Sequence, residues 1–165
     1  MSKGTALITG ASSGIGAALA RRFAAMDFDL VITARRKPRL DALAGELSGE
    51  IQVHVIDCDL ATEQGVERLI GGVEQLALDI DVLVNNAGIA WSREFHRLPA
   101  EDVSNLLALN VTALTMLSHH FVPRMIERGS GRILNVASVA AFQPIPSMSL
   151  YAASKAFVLS LTALD

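Results

Sequence analysis

The stretch TGASSGIG, Thr9 to Gly16, stands between a short apolar run and a segment whose apolar residues have helical spacing. Three glycines and two serines are more than a helix start requires, because one capping residue is enough there. Glycine lets the backbone turn tightly and lets another group come close to it. The stretch therefore predicts a strand–turn–helix unit with a close approach at the turn.

Outward from this stretch, short apolar strands alternate with amphipathic helices along the chain. The predicted strands are TALITG, DLVITAR, IQVHVIDCDL, IDVLVNNAG and GRILNVAS. They read as apolar on both faces, as parallel strands covered by helices must be. Since right-handed crossovers then place helices on both faces, the pattern predicts an α/β fold. We expect a doubly wound parallel sheet, the Rossmann fold, with at least five strands.

Composition restricts the class of protein. The chain has 165 residues, 51% of them hydrophobic, and a net charge of −3, so we expect a single domain over 1–165 without a basic surface for nucleic acid. Cys58 is the one cysteine, which excludes an internal disulfide and fits a reducing compartment. The first apolar run is too short for a signal peptide, and no apolar run reaches the roughly 18 residues of a membrane span. A soluble cytoplasmic protein is expected.

The glycine-rich turn has the composition of a phosphate site. In doubly wound sheets ligands bind beyond the carboxyl ends of the strands, where this turn lies. Gly10 suits the tight turn, Gly14 the approach of a pyrophosphate, and Gly16 the packing of helix on strand. The helix N-terminus adds free N–H groups, and Ser12 and Ser13 add hydroxyl donors. The alternative is a tight turn without a ligand, and the spacing G-x-x-x-G-x-G differs from the usual dinucleotide fingerprint.

Further motifs follow this turn in a familiar order. They are CDL at 58–60, NNAG at 85–88, LNVTA around Asn110, ILNVAS ending at Ser138, and YAASK at 151–155. Together with TGASSGIG this series resembles the short-chain dehydrogenase/reductase family over essentially the whole chain. The resemblance implies an oxidoreductase that transfers a hydride between NAD(P)(H) and a small carbonyl or alcohol substrate. The alternative is a non-catalytic dinucleotide-binding or assembly module.

Tyr151 and Lys155 are four residues apart on a predicted helix and so share one face. A tyrosine hydroxyl is by itself a weak acid, and a neighbouring ammonium group stabilises the phenolate. Ser138, at the end of the fifth strand, is placed to hold a carbonyl oxygen. The alternatives are a core aromatic beside a solvated lysine, and a serine that caps the strand end.

The resemblance implies a role for each of four catalytic residues. Tyr151 is the general acid in carbonyl reduction and the base in alcohol oxidation, and Lys155 holds the nicotinamide ribose and tunes Tyr151. Ser138 polarises the substrate oxygen, and Asn110 supports a proton relay through water to Lys155. Asn110 lies within a long helix between apolar neighbours, so burial is expected, and the alternative is a solvent-facing asparagine.

Cofactor choice is indicated at the end of the second strand. Ala34 is followed by Arg35 and Arg36, so no carboxylate meets the ribose and two guanidinium groups are available to a 2′-phosphate. We expect NADP(H) rather than NAD(H); the alternative is a solvated loop. By resemblance, Asp59 meets the adenine ring. The predicted cofactor-binding residues are Gly10, Ser12, Ser13, Gly14, Ile15, Gly16, Arg35, Arg36, Asp59, Leu60, Asn86, Ala87, Gly88, Tyr151 and Lys155.

The resemblance also implies partners and missing parts. Family members usually continue past the Tyr–Lys helix with further strands and a substrate loop, so we expect this chain to be the N-terminal portion of a longer enzyme, with its fifth strand exposed at an edge. The helices that contain Asn110 and Tyr151 pair in relatives, which implies a homodimer or homotetramer. His119 and His120 have no Cys, Asp or Glu at ligand spacing, so no metal site is expected.

Overall fold

Five parallel strands form one sheet in the computed structural model, which describes residues 2–49 and 51–162. The strands are β1 (Thr5–Thr9), β2 (Asp29–Ala34), β3 (Val53–Asp57), β4 (Val82–Asn85) and β5 (Arg132–Asn135). Their spatial order is β3-β2-β1-β4-β5. The strands β2 and β3 are added on one side of β1, and β4 and β5 are added on its other side. The doubly wound parallel sheet is therefore confirmed, with its switch point between β1 and β4.

Six helices connect or follow the strands in the described part of the chain. They are α1 (Gly14–Ala24), α2 (Lys37–Leu47), α3 (Glu63–Gln75), α4 (Ala100–Leu107), α5 (Leu114–Glu127) and α6 (Ser149–Thr162). A π-helical segment, Ala108–Ala113, joins α4 to α5, so the predicted long helix is one continuous helical run with a π segment in it. Short 3-10 turns occupy Phe95–Arg97 and Val139–Ala141. Thr62 caps α3, because its hydroxyl accepts the Gly65 N–H at 3.0 Å.

The two faces of the sheet form two separate cores. Alternate residues of a strand point to opposite faces, so Leu7 of β1 lies in one core and Ile8 in the other. The Leu7 core is completed by α3 and α5, through residues such as Leu69 and Phe121. The Ile8 core is completed by α1 and α2, through residues such as Ala20 and Leu40. Helices therefore cover both faces, as the sequence pattern predicted.

The last strand, β5, departs from the sequence prediction. The expectation that every strand is apolar on both faces is wrong here, because Arg132 and Leu134 are exposed. Within the described residues β5 pairs only with β4, so its outer side is an edge of the sheet. An edge strand is covered less completely than an inner one, which explains its mixed composition.

The helical run Ala100–Glu127 is long and apolar enough, by length and composition alone, to cross a membrane. The sequence had been expected to contain no stretch that could span a membrane, and this run does not meet that expectation by length and composition. In the fold, the run packs against the sheet through residues such as Leu117, Phe121 and Met125, which belong to the core with Leu7. The apolar residues of this run are therefore explained by their packing in the core of the domain.

Candidate cofactor and catalytic site

The turn after β1 contains two glycines that the surrounding backbone requires. Gly10 has φ +68°, which favours glycine, and a Cβ there would meet the backbone of Ala87. A Cβ on Gly16 would collide with the Gly10 carbonyl group and the Asn86 side chain. A Cβ on Gly14 would meet no atom within 4 Å, so this glycine is favoured only by its backbone conformation, with φ +55°. Gly10 and Gly16 thus serve close packing within the protein, and Gly14 lies on the open side of the turn.

Thr9 joins the ends of β1 and β4 at the switch point. Its hydroxyl donates to the Val84 carbonyl at 3.2 Å and accepts the N–H groups of Asn86 and Ala87, each at 3.0 Å. Asn86 returns the contact, because its Nδ2 donates to the Thr9 carbonyl at 2.9 Å. The NNAG segment is therefore tied to the glycine-rich turn. Thr9 was not among the predicted site residues, although a polar residue that ends an apolar strand is a signal for such a contact.

A cavity of about 400 Å³ opens at this edge of the sheet. It brings together most of the predicted site residues: Gly10, Ser12, Ser13, Ile15, Arg35, Arg36, Asp59, Leu60, Asn86, Ala87, Gly88, Tyr151 and Lys155. Four predicted residues do not line it: Gly14, Gly16, Asn110 and Ser138. Lining residues that the sequence analysis missed include Ile89, Ala90, Val136 and Ala137, which follow β4 and β5. Their position after carboxyl strand ends was the available signal.

The two arginines after β2 have different partners. One terminal nitrogen of Arg36 donates to the Ser12 hydroxyl at 2.9 Å and to the Ser13 hydroxyl at 2.8 Å. Each serine oxygen accepts from Arg36, so each hydroxyl hydrogen remains available to another acceptor. Arg35 forms an exposed pair with Asp59 at 3.9 Å, a contact of the kind that contributes little to stability. Both arginines line the cavity together with residues of the glycine-rich turn.

The adenine-side residues predicted from the CDL motif follow β3. Asp59 accepts the Ala61 N–H at 3.0 Å, and Leu60 is buried. The thiol of Cys58 lies 3.1 Å from the Thr33 hydroxyl, and burial raises the pKa of this thiol. Cys58 therefore stays a neutral, packed wall residue at neutral pH.

Tyr151 and Lys155 lie one turn apart on α6 and both line the cavity. The Lys155 Nζ is 5.8 Å from the centroid of the Tyr151 ring and donates to the Val136 carbonyl at 2.7 Å. Lys155 is only 6% exposed, so the alternative of a solvated lysine is wrong. Burial lowers the pKa of its amine, because a charged ammonium group loses hydration there.

Asn110 is 1% exposed and lies in the π-helical segment, so the solvent-facing alternative is wrong for it too. Its Oδ1 accepts the Ile89 N–H at 2.9 Å, and its Nδ2 donates to the Ile89 carbonyl at 2.9 Å and to the Ser154 hydroxyl at 3.1 Å. A Cβ on Gly88 would lie 3.2 Å from Asn110 Oδ1 and 3.7 Å from Lys155 Nζ. The Asn110 amide and the Lys155 amine therefore both lie close to Gly88.

Ser138 lies beyond the end of β5 and caps the 3-10 turn Val139–Ala141. Its Oγ accepts the Ala140 N–H at 3.2 Å, so in this structure Ser138 acts as a cap, at the start of the 3-10 turn. Its hydroxyl hydrogen remains available to a further acceptor. The predicted position at the strand end is therefore wrong, since Ser138 belongs to the connection between β5 and α6.

The fold and this cavity define a dinucleotide-binding α/β domain. The family model described as short chain dehydrogenase matches residues 4–164, and the chain belongs to the short-chain dehydrogenase family of oxidoreductases. Among its relatives, sulfoacetaldehyde reductase 2 of Chromohalobacter salexigens is 40% identical over 162 residues, covering 94% of this chain and 63% of the relative. Serine 3-dehydrogenase of Rhizobium radiobacter is 38% identical over 156 residues, covering 94% and 61%.

Solved structures agree with this assignment. The bulky-bulky ketone specific alcohol dehydrogenase from Comamonas testosteroni superposes with a TM-score of 0.92 at 40% identity, over 98% of this chain and 65% of that one. A short-chain dehydrogenase from Sphingobium yanoikuyae in complex with NADPH gives 0.90 at 45% identity, over 96% and 62%. The chain thus spans 60 to 63% of the length of the first curated relatives that it matches. These relatives are oxidoreductases, so a non-catalytic module is not favoured.

Proposed function

We propose that this chain forms the cofactor-binding and catalytic part of an oxidoreductase that prefers NADP(H) and interconverts a small carbonyl compound and its alcohol. One observation carries the proposal: a single cavity is lined both by the glycine-rich turn with Arg35 and Arg36 and by Tyr151 and Lys155. We take 1–165 as one dinucleotide-binding domain, in line with the single sheet.

The donor set of the cavity fits a dinucleotide. The turn around Gly14 and the N-terminus of α1 would hold the diphosphate, since free N–H groups and the helix dipole favour anions there. Asp59 and Leu60 would adjoin the adenine, and the segment 86–88 a ribose. The related Sphingobium yanoikuyae enzyme binds NADPH, which supports this use of the cavity.

Preference for NADP(H) rests on charge at the end of β2. No carboxylate follows Ala34 to repel a 2′-phosphate, and Arg35 and Arg36 both line the cavity. Guanidinium groups bind phosphate with two parallel hydrogen bonds. Because Arg36 orients Ser12 and Ser13 as acceptors, their hydroxyl hydrogens would also face the anion.

The chemistry proposed for the chain's own residues is proton transfer to and from the substrate oxygen. When bound, the nicotinamide supplies or accepts the hydride. Tyr151 donates its hydroxyl proton to the carbonyl oxygen in reduction and takes it back in oxidation. The Lys155 ammonium stabilises the phenolate, and the free hydroxyl hydrogen of Ser138 polarises the substrate oxygen. Asn110 supports a proton relay through water to Lys155, and its bonds to Ile89 hold the cavity wall beside that lysine in place.

Assembly and location complete the proposal. Exposed apolar side chains on the helices that carry the site, Leu107, Met116 and Phe157, support a homodimer or homotetramer formed through those helices. A net charge of −3 does not favour a nucleic acid partner. A small-molecule substrate and a cytoplasmic location are proposed.

The test is the Tyr151→Phe variant. Reduction is followed with NADPH and sulfoacetaldehyde, a 3-oxo acid or a bulky ketone, and oxidation with NADP⁺ and serine, chosen from what the relatives act on. Loss of the acid/base group should lower turnover by about 100-fold or more. Calorimetry should show NADPH binding unchanged within about twofold, because Phe keeps the ring in place. Unchanged turnover in Tyr151→Phe would refute the mechanism.

A further inference from the structure

Ser154 lies in the interior of α6 between the two proposed catalytic residues of that helix, and it is 2% exposed. Its Oγ donates to the Tyr151 carbonyl at 2.7 Å and accepts from the Asn110 Nδ2 at 3.1 Å. A buried hydroxyl requires such partners, and serine offers no advantage to a helix interior by itself. The two hydrogen bonds of this hydroxyl therefore indicate that Ser154 has a structural role, linking α6 to Asn110.

The direction of these hydrogen bonds is determined by the groups themselves. The Tyr151 carbonyl only accepts, so the single proton of the Ser154 hydroxyl is used there and its lone pairs face Asn110. Asn110 must then present its NH₂ group to Ser154. The same orientation places its Oδ1 on the Ile89 N–H and its second hydrogen on the Ile89 carbonyl. The four residues form one consistent hydrogen-bond network, in which the Asn110 amide has a single orientation.

This network joins two parts of the site that are remote in sequence. Ile89 follows β4 and lines the cavity, next to Gly88, where Asn110 and Lys155 approach each other. Ser154 belongs to the helix that carries Lys155. The chain of bonds from α6 through Asn110 to Ile89 consequently sets the position of that helix relative to the cavity wall.

We propose that Ser154 is a positioning residue, which holds the Asn110 amide in one orientation and so keeps α6 in register with the Ile89 wall of the cavity. The proposal rests on the proposed function for its catalytic consequence. Ser154 itself touches neither cofactor nor substrate in this role. Its effect reaches the chemistry through Asn110, because a displaced wall moves the reacting groups out of alignment.

The test compares Ser154→Ala with Ser160→Ala, the same substitution at an exposed position of the same helix. In the full chain, Ser154→Ala should lower kcat about tenfold with the KM for NADPH changed less than about twofold. Ser160→Ala should leave both unchanged. Ser154→Thr should restore most of the rate, because a threonine hydroxyl can make the same bond to a carbonyl one turn back. Unchanged kcat in Ser154→Ala would overturn the proposal, as would a parallel loss of kcat, NADPH affinity and thermal stability.

A second measurement separates this proposal from the proposed function. If the unmodified chain reduces none of the test substrates, the proposed function fails, and hydrogen exchange at the Ile89 amide then decides the role of Ser154. That amide should exchange about tenfold faster in Ser154→Ala than in Ser160→Ala, since its acceptor loses its fixed orientation. Equal exchange would refute the role. Should Ser154→Ala fail to fold, Ser154→Cys replaces it in both measurements, because a thiol accepts hydrogen bonds only weakly.

Discussion

The amine of Lys155 lies 2.7 Å from the Val136 carbonyl oxygen, and no described carboxylate forms an ion pair with it. Burial therefore lowers the pKa of this amine below its ordinary value of 10.5. At a pH below the folded-state pKa the cost of burying the charge is present in full. As the pH rises through that value toward 10.5, the unfolded chain binds more protons than the folded one, and stability increases.

Lys155→Met should remove this dependence. The free energy of unfolding of the unmodified chain, measured relative to the Met variant by urea denaturation, should rise as the pH increases through the alkaline range toward 10.5. Turnover should be lost in the variant, because the ammonium that stabilises the phenolate is gone. A difference in stability that stays constant with pH would show that Lys155 is not desolvated.

Gly16→Ala should lower both stability and cofactor affinity. The added methyl group would collide with the Gly10 carbonyl and Asn86, so the start of α1 must move away from the turn. We expect a loss of about 1–3 kcal/mol in the free energy of unfolding and weaker NADPH binding. The matched control is Gly71→Ala in α3, where an added Cβ meets no atom within 4 Å. Helix propensity alone should make that variant about 1 kcal/mol more stable, and equal effects in the two variants would contradict the packing argument.

Arg36→Ala should change the choice between cofactors. Loss of a guanidinium–phosphate contact should weaken NADPH binding about tenfold or more and NADH binding less than about threefold, as measured by calorimetry. Arg39→Ala is the control, because Arg39 is exposed on α2 and does not line the cavity. Equal weakening of both cofactors would instead mean that Arg36 mainly braces Ser12 and Ser13.

His120 should make stability fall in mild acid. Burial and the neighbouring Arg124 lower the pKa of its imidazole, and Glu74, 3.5 Å away, opposes them only in part. The folded state therefore favours neutral His120, and stability is lost as the pH falls below the ordinary value of 6.5 toward the folded-state pKa. His120→Gln should reduce this loss between about pH 7 and 5 in urea denaturation. His96→Gln, at an exposed histidine of the 3-10 turn Phe95–Arg97, is the control, and an identical loss in both variants would exclude His120 as its source.

Much of the fold was predictable because its signals are local. The period of apolar residues distinguishes the strands from the helices, and the alternation of the two leads to a parallel sheet with covered faces. The glycine spacing indicated the turn after β1, and the four-residue spacing of Tyr151 and Lys155 placed both on one face of α6. The edge position of β5 was expected from the resemblance, whereas the expectation that both of its faces are covered was wrong, because coverage depends on tertiary packing that composition does not reveal.

The sequence by itself determined the order of elements, the end of the sheet at which the ligand groups collect, and the residue types available there. Only the tertiary structure decided which groups are desolvated and which partners they meet. Lys155 is buried against Val136, Ser12 and Ser13 accept from Arg36, and Asn110 bonds to Ile89 and Ser154. Such contacts join residues that are remote in the chain, so they depend on how helices pack against the sheet and on rotamers chosen by that packing.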